Sequence, residues 1–148
     1  MKSKAPLAMM EQMVMILVFA LAAALCLQAF VKSDQMSRDS EERDRALQAA
    51  QSAAEAVQHT AGDFVQAAEL LNATVWGEDD LTIHYSEDWA AYTFNPDHTL
   101  PFGYTLGVYR EESDVPGLGR ANVWVQEDET GEELVRFEVC WQEVSAHG

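Results

Sequence analysis

The 148-residue chain has only two cysteines, and they cannot readily pair: Cys26 falls inside an apolar run and Cys140 in a C-terminal stretch with strand character. No disulfide framework is implied, which suits a cytoplasmic chain or an exported one that relies on packing. Positive charge is equally sparse. All three lysines (Lys2, Lys4, Lys32) lie at or before the end of the apolar run, and beyond Lys32 six arginines face 24 acids, a formal charge of −18 within the −16 of the whole chain. Such a surface repels phosphate backbones and anionic headgroups, so nucleic-acid binding by this region is excluded as a leading function. Glycine and proline are missing between Leu7 and Ala61, which removes every strong helix breaker from that stretch.

What is present begins with MVMILVFALAAALCLQAFV, residues 13–31, which carry no charge and only Gln28 as a strongly polar interruption. At about 1.5 Å rise per residue this run spans a bilayer core as a helix. A cleaved secretory signal is the competing reading, with Lys2 and Lys4 as its basic region and a small-residue site around Ala22, Ala23 and Ala24. Against it, the apolar run continues through Leu25, Leu27, Phe30 and Val31. Basic residues after the run (Lys32, Arg38, Arg43, Arg45) outnumber Lys2 and Lys4 before it, and that count alone places the N-terminus outside.

Residues 32–72 are rich in Ala, Glu, Gln and Arg and are predicted to continue the helix. Leu47, Ala50, Ala54, Val57, Ala61, Phe64, Ala68 and Leu71 recur at steps of three and four, the signature of one packed face. From residue 73 to 148 the period changes. Leu81 to Tyr85 and Trp89 to Phe94 read as strands or turns, while Tyr104 to Arg110, Ala121 to Gln126 and Leu134 to Trp141 alternate clearly. Eleven of the fourteen aromatic residues lie after Asn72, which predicts a sheet burying an aromatic face on the helix stripe. The expected fold is therefore α+β: a short basic leader with Glu11 (1–12), a transmembrane helix (13–31), an amphipathic continuation (32–72) and an acidic antiparallel β domain (73–148).

Glu11 is the only acid before the apolar run, where a carboxylate is tolerated only near the interface. The segment KAPLAMMEQMVMILVFALAAALCLQAF resembles the N-terminus of type IV pilins and pseudopilins. In that family a short basic leader is cleaved, Glu stands fifth in the mature chain, and the helix continues into an exposed domain containing an antiparallel sheet. With cleavage between Pro6 and Leu7, Glu11 is fifth; the family usually has Gly and an aromatic residue where Pro6 and Leu7 stand. The stretch AQSAAE, Ala50 to Glu55, is also similar to short pilin-like proteins of Gram-positive bacteria.

The resemblance implies a structural subunit, a minor pilin or pseudopilin of a pilus, type II secretion or competence-type filament. It places the N-terminus in the cytoplasm and the acidic domain outside. Other pilin-like subunits would be partners through the helix, with Glu11 pairing the Leu7 amine of a neighbour, alongside a prepilin peptidase and an assembly platform. The alternative is a single-pass anchored binding module that never polymerises, using its acidic face or the loop Glu111 to Gly119.

No enzyme is expected, and no cofactor or metal. His59, His84, His98 and His147 stand singly, and the turn with Glu127, Asp128, Glu129, Gly131 and Glu132 lacks the ligand alternation of a calcium loop. Ser113 and Ser145 have no neighbouring base in sequence, so a secreted hydrolase has nothing to support it. Trp124 and Trp141 are assigned to packing.

Overall fold

The computed structural model describes residues 5–92 and 103–143. The chain forms two compact units that divide between Glu41 and Glu42. Its elements run α1 (Ala5–His59), α2 (Phe64–Leu71), then β1 (Thr74–Val75), β2 (Asp80–Tyr85), β3 (Ala91–Tyr92), β4 (Tyr104–Glu111), β5 (Leu118–Glu127) and β6 (Glu133–Gln142). The α+β class expected from the change of period is thus the observed one.

The first unit is helical from Ala5 onward. Pro6 is tolerated there because the first-turn amides have no helical acceptor in any case. Every described side chain of the apolar run is exposed, Phe19 and Phe30 to 76% each. A helix this long and apolar, with none of its apolar window buried, is one that can cross a membrane.

In the second unit α1 presents Ala46, Ala50, Ala53, Ala54, Ala56 and Val57 to the core. The expected uninterrupted helix to residue 72 is corrected here: α1 ends at His59 and α2 starts afresh at Phe64. Gly62, at φ +83°, donates to the Val57 carbonyl at 2.9 Å, and Ala61 is also left-handed at φ +50°. Asp63 then caps α2, its Oδ1 accepting from the Gln66 amide at 3.0 Å, and Asn72 closes it at φ +51°. Glycine's freedom and an aspartate cap, adjacent in sequence, outweigh the continuing apolar period.

The break also revises the packed face. Ala50, Ala54, Val57, Phe64 and Ala68 are buried and Leu71 is half-buried, but Leu47 and Ala61 are exposed. Leu47 lies about 95° around the helix from the centre of the buried alanines at 100° per residue, and Ala61 sits in the turn after the last helical residue.

All strand pairs are antiparallel. The order is β1-β2-β4-β5-β6, with β3 pairing β2 beside β1. Ala121, Val123 and Val125 of β5 are buried, as are Leu81, Ile83, Leu106 and Val108, while Arg136 and Glu138 of β6 are exposed. The expected aromatic layer is in fact mostly branched aliphatic. Short branched side chains fill most of the buried face of the sheet, with Tyr104 and Trp141 as its buried rings. Thr93 and Phe94, expected as strand or turn, lie outside the described residues.

Candidate functional site

Pro6, Leu7 and Glu11 all sit in the first turns of α1 with exposed side chains. Among the described residues no cation pairs with Glu11. At the start of the apolar run a carboxylate is stabilised by interfacial water or by a cation.

Of the histidines, His59 is in the last turn of α1, His84 is on β2, and His98 and His147 lie outside the described residues. No group of three or more His, Cys, Asp or Glu side chains that could hold a metal occurs among the described residues. The acidic turn is a hairpin connection: the Glu127 amide donates to the Glu132 carbonyl at 2.9 Å, and the Glu132 amide to the Thr130 hydroxyl at 3.1 Å. Ser113 is a turn residue whose Oγ accepts from the Val115 amide, and Ser145 lies outside the described residues. Cys26 and Cys140 are both free and exposed.

One polar relay escaped the sequence reading. Thr105 on β4 donates its hydroxyl to Asp128 Oδ1 at 2.7 Å, and His84 Nδ1 lies 3.2 Å from the same hydroxyl oxygen. With its proton committed to the carboxylate, that oxygen accepts, which assigns the proton to His84 Nδ1. Burial lowers the imidazole below its ordinary value, with the Asp128 charge opposing. Tyr92, whose ring lies 6.2 Å from that of His84, is raised first by burial and then by Asp128. Residues 84, 105 and 128 come together only through the β2–β4–β5 register, and no spacing along the chain signals it.

A second constellation is structural. The Trp141 indole, 5% exposed, lies against two glycines: a Cβ on Gly119 would come 2.2 Å from it and one on Gly62, 2.3 Å. Arg110 stacks its guanidinium 5.4 Å from the Trp141 ring and 5.6 Å from that of Phe64, and donates to the Gly62 carbonyl at 2.8 Å and to Glu143 at 3.0 Å. Its Nε also approaches Asp79 Oδ1 to 2.9 Å, an ion pair without hydrogen-bond geometry. Trp124, by contrast, is half-buried on the opposite face of the sheet, its indole across Gly107.

A surface groove of about 510 Å³ is lined by Arg45, Gln48, Ala49, Ser52, Tyr85 and Trp89. Trp89 is left-handed at φ +63°, a conformation that costs a bulky residue, and it is held by stacking on Tyr104 with ring centroids 4.1 Å apart.

The fold and these sites define an α+β chain with one helix able to cross a membrane. No protein-family model, no curated protein and no solved structure matches it.

Proposed function

We propose that this chain is a structural subunit of the pilin or pseudopilin kind, held in the membrane by residues 13–31 before it joins a filament. The observation that carries the reading is α1 itself. A single helix, Ala5–His59, has an exposed apolar N-terminal stretch and ends in alanines that belong to a domain core. An anchor that served only to tether needs no helical continuity with the domain it carries. In a filament, continuity transmits position from packed N-terminal helices to displayed domains. Glu11 supplies the polar element, since a carboxylate entering an apolar helix bundle is stabilised by pairing with a neighbour's Leu7 amine, which removes two unpaired charges together. The N-terminus is then cytoplasmic and the acidic domain extracytoplasmic, with a prepilin peptidase and an assembly platform as further partners.

The second reading, an anchored binding module that does not polymerise, is favoured by Pro6 and Leu7 at the place of cleavage and by the exposed loop around Val115. Intact-mass and N-terminal analysis of the protein from its native membrane separates the two. A mature N-terminus at Leu7 is the expected result. An intact Met1 shifts the assignment to the anchored module, and a cut near Ala24 sinks both.

A further inference from the structure

The face of the sheet opposite the core gathers aromatic side chains. Val108, Val123 and Val125 are buried, so alternation turns Tyr109 of β4 and Trp124 of β5 the other way. Register sets Thr82 of β2, Gly107 of β4 and Trp124 in one row across three strands, with Asp80 opposite Tyr109 in another. A Cβ on Gly107 would come 2.4, 2.5 and 2.6 Å from Cε2, Cζ2 and Nε1 of the Trp124 indole. Such near-equal approach to adjacent ring atoms means that the indole lies flat over the glycine. Packing accounts for that face of the ring, and the other is turned away from the sheet. Trp76, 59% exposed, is brought alongside by its amide, which donates to the Asp80 carbonyl at 3.1 Å. Trp76, Tyr109, Trp124, Asp80 and Thr82 line a groove of about 220 Å³ over Gly107.

Charge decides what this groove can take. Asp80 is exposed on its rim, and no cation pairs with it among the described residues, whereas its neighbour Asp79 is paired with Arg110. Arg136 reaches the Tyr109 hydroxyl at 3.3 Å from β6, but its guanidinium is paired with Glu133. An anion therefore finds no uncommitted positive charge here. A cation finds a carboxylate and three electron-rich rings.

We propose that the groove binds a small quaternary ammonium cation of the choline type, its methylated nitrogen among Trp76, Tyr109 and Trp124 and its charge balanced by Asp80. A primary ammonium or a guanidinium needs several acceptors when it leaves water, and the groove is mainly apolar. A nitrogen that carries only methyl and methylene groups needs none. The volume is below the about 300–1,000 Å³ that encloses a drug-sized ligand, so it suits a single head group. A choline lipid is disfavoured as the source, because its phosphate would be set beside Glu78, Asp79 and Asp80. The site does not depend on the filament assignment.

Isothermal titration of the full-length chain in maltoside micelles at low ionic strength tests it, with choline chloride as the probe. Its partner probe is dimethylbutanol, the same shape with carbon in place of the charged nitrogen. Choline is expected to bind saturably and the neutral alcohol about tenfold more weakly or worse. Asp80→Asn and Trp76→Ala, both at exposed positions, should each weaken choline binding by about threefold to thirtyfold. Glu55→Gln, the same loss of charge on an exposed site of α1, should leave it unchanged. Absence of saturable binding, equal binding of the alcohol, or an equal loss in Asp80→Asn and Glu55→Gln overturns the proposal. So does binding of phosphatidylcholine vesicles without binding of choline, which would assign the groove to a lipid.

Discussion

Arg110 gathers distant parts of the chain around one guanidinium: the turn after α1 through the Gly62 carbonyl, the entry to β2 through Asp79, and the end of β6 through Glu143. It also roofs the Phe64 and Trp141 rings. Such a clamp needs the indole in its slot, and the slot exists because residues 62 and 119 have no side chain. Gly119→Ala is expected to lower stability by about 1–3 kcal/mol through overpacking, read as a lower melting temperature of the full chain in detergent. His84 carries a different prediction. Its imidazole is lowered in the folded domain, so as pH falls through the ordinary value of 6.5 the unfolded chain takes up the proton first. The His84 contribution to stability is complete above that value and is lost as pH falls toward the folded-state value. Between about pH 7.5 and 5.5 the melting temperature of the native chain should fall more than that of His84→Gln; parallel curves would rule out the imidazole as the cause.

At the scale of elements, the helix stripe shows how period and packing divide the work. Ala50 is fully buried and Leu47 is 40% exposed, although both satisfy the three-and-four spacing. Ala50→Leu should cost about 1–3 kcal/mol by forcing α1 away from the sheet, whereas Leu47→Ala should stay within about 0.5 kcal/mol of the native chain in thermal melts. A large effect at Leu47 with none at Ala50 would place the packed face elsewhere on the helix. The strands were the more legible elements. Alternation at 121–125 and 135–141 identified the buried faces of β5 and β6, because a half-buried strand repeats every two residues and each face keeps one solvent. The α1–α2 break was written in Gly62 and Asp63, yet the apolar spacing across it matched a continuous helix closely enough to mask it.

For the whole molecule, the apolar run is long enough to cross a bilayer. Ala22 lies at its midpoint, and Ala22→Arg should raise the cost of insertion by about 2.5–3.5 kcal/mol, seen as a smaller fraction of the protein resisting alkaline extraction from membranes. Unchanged extraction would mean that this segment does not span the bilayer. The strong acidity beyond Lys32 works in the same direction, since a formal charge of −18 keeps that region off anionic lipid and in water.

By itself the sequence determined the apolar helix, the α+β class, the acidic surface and the faces of the long strands, because each follows from a local period or from composition. Only the tertiary structure decided the His84–Thr105–Asp128 relay, the glycine slot around Trp141 and the aliphatic character of the buried sheet face. These depend on strand register and on the distance between packed backbones, and neither is encoded in the spacing of residues along the chain.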